Sequence, residues 1–395
     1  MRARALLLVL ATLSLACSRT AAQTATDDPA TSGNTAGETS SSSSMSDGTG
    51  ETTAGATETA GVVDGRLLLL DGALPGGAVV DLAIKDGLIV EVGELSPEGA
   101  ADVIDLSGRF VAPAFIDSHV HLAYRPLPED LADGGIAAAV DLAAPLGFVR
   151  ALPAAPRVLT SGPMVTAIGG YPTQSWGANG YGYECADAAA AVAAVDALAD
   201  AGVDLIKIPI TGGVDLPGDA IKAAVERAHA RGLKVASHAL ADAEASAAAG
   251  HGVDALAHTP TEALAPASIS ALAGKAVITT LAAFGGGAPT LQNLAALRSA
   301  GATILYGTDF GNTAEAGISR RELELMMDAG LDGEAILAAG TSTPASYWGL
   351  DTLGELATGK AASLLVLAED PLINPLTLAE PVAVLFEGAW RGAPP

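Results

Sequence analysis

Four histidines, one lysine and one aspartate in this chain have the types and order that a divalent-cation site would need, namely His119 and His121, Lys207, His238, His258 and Asp309. Each stands at or near the end of a short apolar segment. His119 and His121 lie in VAPAFIDSHVHL, whose alternation places residues 117, 119 and 121 on one face of a strand. Two imidazoles then point the same way and can chelate one cation, whereas a helix would need a spacing of three or four. Alone, a His-x-His reads as an ordinary polar strand end, and His238 or His258 alone would read as a buried, hydrogen-bonded histidine. Their common placement makes them a ligand set.

Lys207 sits in DLIKIPI, an otherwise apolar strand, where an ammonium must be buried or find a partner. Burial favours the neutral amine, which can add carbon dioxide and become an anionic carbamate with two oxygens for two metal ions. The plainer alternative is a lysine that snorkels to pair with Asp204 or Asp215. Asp309, in LYGTDFGN, can cap the turn that follows it, or touch a metal and accept a proton from bound water. Zinc is the first choice for imidazole and carboxylate donors, which also accept manganese, iron or cobalt.

The elements that must position these groups alternate along the chain. Strand-like runs occur at VAPAFIDSHVH, IAAAVDLAA, RVLTSGP, VDLIKIPI, KVASHAL, DALAHTP, AVITTLAA and TILYGTDF. Alanine-rich segments of helical character fill residues 187–201, 218–231 and 291–300, while the first two connections are short. Eight strands alternating with helices predict an α/β fold, a (β/α)8 TIM-type barrel over residues 113–352, with catalytic groups at the carboxyl ends of the strands. The six residues then occupy strands one, four, five, six and eight and converge. His229, late in the helical AIKAAVERAHARG, and His251, in the turn AAGHGVD, belong to the outer layer and the opposite mouth and are expected to be solvated. Residues 62–112 and 353–395 read as short strands punctuated by turns, and are expected to fold together into a small β-sandwich domain.

These motifs resemble the amidohydrolase superfamily and, within it, the imidazolonepropionase-like group that includes prolidase-type metal dipeptidases. The resemblance runs from about Val62 to Trp390. GRFVAPAFIDSHVHL resembles the family's first strand, VDLIKIPITGGV its lysine strand, KVASHA and GVDALAH its fifth and sixth strands, and YGTDF its eighth. The segment from RELELMMDAGLDG to LLVLAEDPL resembles its closing part. The likeness implies a metal-dependent hydrolase acting on the carbon–nitrogen bond of a small-molecule amide, peptide-like or cyclic. It implies that His119, His121 and Asp309 hold one Zn2+, that His238 and His258 hold a second, and that carboxylated Lys207 bridges both with a shared hydroxide while Asp309 acts as acid and base.

The chain departs from the family's pattern at three places. Ser363 stands where an aspartate is common, Tyr171 stands where a histidine follows strand three, and His238 is followed three residues later by Ala241 rather than a glutamate. The last argues against deamination. A mononuclear cyclic-amide hydrolase, a lactonase or esterase on the same site, and an inactive tethered binding lipoprotein are the alternatives. Tyr171, Trp176, Tyr181 and Tyr183 in the long loop after strand three, with Thr211 and Phe284, are candidate pocket residues.

Residues 1–17, MRARALLLVLATLSLAC, combine two arginines, an apolar core and a small residue before Cys17. This reads as a signal peptide of lipoprotein type with Cys17 lipidated, which predicts export to the bacterial periplasm or outer membrane, held by a lipid anchor. Residues 18–61 are a Ser/Thr/Gly-rich tract expected to be a flexible tether. With Cys17 lipidated, Cys185 has no partner within the chain and is expected in a packing or loop role. A net charge of -25, from 45 acids against 20 bases, argues against nucleic acid and against anionic lipid as partners of the folded part. Oligomer formation is left open.

Overall fold

A computed structural model describes residues 64–151 and 155–395. The readings for residues 1–61, including the signal, Cys17 and the tether, lie outside the described residues. Among the described residues no helix is long and apolar enough to cross a membrane.

All eight expected strands are present, as β1 (Phe115–Val120), β2 (Ile136–Asp141), β3 (Arg157–Thr160), β4 (Leu205–Pro209), β5 (Lys234–His238), β6 (Ala255–Leu256), β7 (Ala276–Ile278) and β8 (Thr303–Leu305). They form two parallel sheets, β1-β2-β3 and β4-β5-β6-β7-β8, with helices between successive strands. The fold is therefore α/β and of TIM-barrel type. Backbone bonds also join the outer strands. Asp204 N–H donates to Thr160 O at 2.9 Å, and Ser118, Asp309 and His121 N–H donate to Tyr306, His119 and Phe310 O at 2.9, 2.8 and 2.6 Å.

One buried cluster draws apolar side chains from every one of these strands, including Ile116, Val140, Leu159, Leu205, Ala236 and Leu305. Trp348 packs against it and donates from Nε1 to Ser118 Oγ at 3.0 Å. Because side chains alternate along a strand, the residue two beyond Leu205 is Lys207, and the residue two beyond Ala236 is His238. The apolar cluster thus sets the direction in which these two functional groups project.

The outer layer forms for equally local reasons. In the helix Ala188–Asp200, the Asp187 side chain accepts from Ala190 N–H, and Ala191, Ala194, Val195 and Leu198 are buried at helical spacing. The neighbouring helix Gly218–Ala230 buries Ala220, Ile221, Ala224, Val225 and Ala228 in the same way. Each fully buried Val, Leu or Ile stabilises by about 1.5–3 kcal/mol, and removing the Asp187 cap would cost about 1 kcal/mol.

Both ends of the described chain meet in one eight-stranded sheet, in the order Ala389–Arg391, Ala383–Phe386, Leu364–Leu367, Phe110–Pro113, Leu67–Ala73, Val79–Lys85, Leu88–Gly93, with Asp102–Asp105 also paired to Leu67–Ala73. Leu88 bridges Ala361, so the sheet curls over a core of its own built on Leu69, Leu82, Ile89, Val111, Leu364 and Leu385. The chain leaves this sheet at Pro113 and enters β1 at Phe115. The long loop after β3 carries an unexpected two-stranded parallel ladder, Met164–Ala167 with Gly182–Cys185.

Candidate metal centre

The six sequence-predicted residues come together in the wall of one cavity of 520 Å³, at the carboxyl ends of the strands. Five strand ends deliver them. His119 and His121 end β1, Lys207 is in β4, His238 closes β5, His258 follows β6 and Asp309 follows β8. Five of them, all but His238, are almost wholly buried. His229 and His251 are outside the cavity wall, as expected; His229 instead pairs with Asp254 at 2.8 Å.

Strand β1 is irregular, with register shifts between Phe115 and Ile116 and between Asp117 and Val120. The even face-sharing of residues 117, 119 and 121 is consequently incomplete. His119 and His121 reach the cavity, whereas buried Asp117 accepts from the side chain of Thr308 and from the N–H groups of Thr308 and His119, at 3.1 and 3.0 Å. This carboxylate ties the turn after β8 to β1. Burial pushes its pKa up to about 7, against those hydrogen bonds.

The turn itself needs unusual backbone. Asp309 has φ +56°, in the left-handed region, and Gly311 has φ +111°. A Cβ at Gly311 would stand 2.7 Å from the carbonyl oxygen of His121. Only glycine lets the chain pass so close to the histidine strand.

At the centre, His119 Nε2 lies 3.2 Å from His121 Nε2, and Asp309 Oδ1 lies 3.5 and 3.2 Å from these two nitrogens. His119 Nδ1 faces the carbonyl of Ala257 at 2.8 Å. A carbonyl only accepts, so Nδ1 carries the proton and Nε2 presents a lone pair to the cavity. His258 Nδ1 is similarly held by Thr280 Oγ1 at 3.0 Å, and its ring lies 4.6 Å from His119 and 4.8 Å from His238. The donor atoms of His119, His258 and Asp309 all lie within 4.8 Å of one another. Among the described residues no group hydrogen-bonds His121 Nδ1. The His119 Nε2 lone pair and His121 Nε2, gathered around the Asp309 carboxylate, suit a cation, which would replace the protons that must otherwise be shared.

Electrostatics point the same way. Burial holds His119 and His258 well below the usual imidazole range, and burial together with the Lys207 charge holds His238 at about 3. Burial alone would raise Asp309, but the neighbouring His119 and His121 and the hydrogen bonds from His121 and Asn312 bring it to about 2. Lys207 falls to about 7 by burial, with Asp309 opposing. Among the described residues it makes no salt bridge. Asp204 accepts from Thr160 N–H and Asp215 from Thr211 and Gly212, so neither is the partner that snorkelling would require. The site offers the imidazoles of His119, His238 and His258 kept neutral by burial, one ionised carboxylate and an amine that is readily neutral.

Two further buried carboxylates staple loops around the centre. Asp141 accepts from Leu122 and Ala143 N–H at 2.7 and 3.1 Å. Glu322 accepts from Leu281 and Ala282 N–H at 2.8 and 2.7 Å, fixing the turn that bears Phe284. Burial raises their pKa values to about 6 and about 7.

Of the candidate pocket residues, Tyr171, Trp176 and Phe284 line the cavity. Tyr181 packs instead with Ala143 and Met164, Tyr183 packs on the core, and Thr211 lines a neighbouring cleft beside His238. Tyr183 belongs to the parallel ladder after β3, while Tyr181 just precedes it. Met164, Ser175, Asn312 and Thr313 also line the cavity, and sequence reasoning missed them. Asn312 had one available signal, its place three residues after Asp309. Ser363 lies in the terminal sheet, accepting from Glu387 N–H, away from the cavity. Cys185 is buried and free, and burial raises its thiol to about 11, in keeping with a packing role.

The profile of the amidohydrolase family matches residues 110–390. The chain belongs to that family. A D-aminoacylase of Alcaligenes xylosoxydans xylosoxydans is 43% identical over 53 residues, so the chain matches 13% of its own length and 11% of that enzyme's. An uncharacterized protein of Mycobacterium bovis is 25% identical over 363 residues, covering 81% of this chain and 94% of that protein. Among solved structures, a Xaa-Pro dipeptidase with bound methionine superposes with a TM-score of 0.72 at 20% identity, over 83% of this chain and 100% of that one. It shares the fold.

Proposed function

We propose that this protein is a metal-dependent hydrolase of an amide carbon–nitrogen bond, peptide-like or cyclic, in a small molecule. The observation that carries the reading is that His119, His121, Lys207, His238, His258 and Asp309, drawn from five strand ends, line one cavity. His119, His121 and Asp309 would hold one cation, His238 and His258 another, and Lys207 would stand between them, with zinc the preferred ion. When bound, such cations acidify water and polarise a carbonyl.

The chain's own residues do the rest. Ala257 O and Thr280 Oγ1 fix the orientation of two imidazoles. Lys207, at about 7, has a free amine in which nitrogen can bond to carbon dioxide with loss of a proton, giving the anionic carbamate. Ionised Asp309, steadied by Asn312 Nδ2 at 3.1 Å, takes a proton at its carboxylate and hands it to the leaving nitrogen. Trp176 and Phe284 supply apolar wall around the centre. The backbone bonds between β3 and β4 and between β8 and β1 support reading the two parallel sheets as arcs of a closed (β/α)8 barrel over 113–352, with 62–112 and 353–395 as a β-sandwich domain. Export as a Cys17-anchored lipoprotein completes the reading, and the mass of the mature amino terminus tests it.

Replacing His119 and His121 together with alanine is expected to abolish bound metal, measured by elemental analysis, and turnover of dipeptides, acylated amino acids, hydantoin-like rings and lactones, with the circular dichroism spectrum unchanged. Turnover by metal-stripped protein would refute the proposal. A one-metal centre is the second reading, favoured by the compactness of the His119, His258 and Asp309 group. One ion per chain with unmodified Lys207 would select it.

A further inference from the structure

The cavity contains a second set of groups whose chemistry concerns the substrate. Outside the six centre residues its wall is uncharged, and its large members are Met164, Tyr171, Trp176 and Phe284. Three of these aromatics each touch a different histidine. The Tyr171 ring stacks on His238 at 4.9 Å and 29°, Phe284 meets His258 edge-on at 4.7 Å and 69°, and Trp176 lies 5.2 Å from His121. Their polar atoms are largely satisfied within the collar, since Trp176 Nε1 donates to Tyr171 Oη at 2.9 Å. Tyr124, 52% exposed, continues the aromatic surface outward, with its ring 6.1 Å from Trp176.

The collar is also held in place. Glu322 fixes the turn carrying Phe284, and Trp176 is wedged against Tyr181 at 5.3 Å. Preformed aromatic faces bind flat apolar groups well, because little ordering is required when the ligand arrives. A carboxylate seated between these rings would lose its hydration against uncharged groups, since the one lysine of the wall, Lys207, belongs to the centre beneath the collar and no arginine lines it.

Resting on the hydrolase reading, we infer that the site takes a neutral amide bearing an aromatic or similarly flat apolar group seated between Tyr171, Trp176 and Phe284, and discriminates against substrates with a free carboxylate in that position. Selectivity comes from the uncharged collar, while bond cleavage comes from the centre beneath it.

The test compares N-acetylphenylalaninamide, N-acetylphenylalanine and N-acetylalaninamide, by calorimetric binding to the protein as purified and again after chelation of metal. The neutral aromatic amide is expected to bind at least tenfold more tightly than either of the others, with or without metal. Trp176→Ala and, independently, Phe284→Ala are expected to weaken it at least fivefold with metal content unchanged. Equal or tighter binding of N-acetylphenylalanine, indifference to the aromatic ring, no measurable binding of the neutral aromatic amide, or full affinity in both variants would overturn the inference. A protein that shows the selectivity but hydrolyses no amide when loaded with zinc would instead sink the hydrolase reading and leave the binding inference standing. Efficient hydrolysis with the carboxylate-bearing ligands preferred would do the reverse.

Discussion

Two histidine–aspartate pairs, one on each side of the strands, show how location alone changes what the same residues can do. His229 Nε2 lies 2.8 Å from Asp254 Oδ2 near the amino end of β6, with the side chains 43% and 27% exposed. His121 Nε2 lies 3.2 Å from Asp309 Oδ1 at the opposite ends, with exposures of 3% and 5%. Water screens the first pair, so its ionic interaction is worth about 0–1 kcal/mol. Asp254 nevertheless has a structural task, because its Oδ2 also accepts from Val235 N–H at 2.7 Å and ties β5 to the start of β6. In the second pair both side chains are nearly buried, a second imidazole joins at 3.5 Å, and the nearby His119, His238 and His258 are driven towards the neutral form by burial. The same two residue types, exposed in one place and buried among further imidazoles in the other, form an ordinary surface pair in the first and a donor set suited to a cation in the second.

The largest effect should come from the carboxylate that keeps the dry region ordered. Burial raises Glu322 from 4.5 to about 7, so the folded protein retains a proton that the unfolded chain releases. That stabilisation is fully present below pH 4.5 and is lost as pH rises through 7, a change of up to about 3 kcal/mol. Urea midpoints of the wild type should therefore fall relative to Glu322→Gln across this window, and a gap independent of pH would show that the site is wetter than its geometry implies. A smaller effect is expected from Thr280→Val, which removes the hydroxyl beside His258 Nδ1 while nearly preserving volume. Metal affinity, measured by competition with a chelator, should drop roughly 10- to 100-fold, and no change would mean that His258 is oriented by packing alone. The smallest effect belongs to the exposed pair. His229→Ala should leave metal content and turnover untouched and shift stability by less than ~1 kcal/mol; loss of metal there would erase the contrast between the two regions.

Much of this architecture is readable along the chain because it rests on periodicity. The eight apolar runs became the eight strands, and the alanine-rich segment at 187–201 became a helix with Asp187 as its cap. The ligand residues were legible for a related reason: an imidazole or ammonium at the end of an apolar strand is chemically conspicuous. Groups that act through loops were not. Thr280, Glu322 and Asn312 look like ordinary polar residues until the chain folds, and Glu322 lies 41 residues from the backbone group of Leu281 that it holds. The tyrosines after β3 illustrate the converse, since Tyr181 and Tyr183 stand close to Tyr171 in the sequence, yet Tyr181 packs behind Trp176 with Ala143 and Met164, and Tyr183, in the short parallel ladder, packs on the core.

The sequence by itself determined which segments are apolar enough to become strands and which side chains stand at their ends, because both follow from local composition and a period of two. Only the tertiary structure decided that His119, His121 and Asp309 converge within 3.5 Å, that Lys207 makes no salt bridge among the described residues, and that Asp117 leaves the cavity to clamp the turn beyond β8. Those outcomes depend on dehydration, on a strand irregularity and on positive-φ turns, which are set by contacts between residues as much as 191 positions apart.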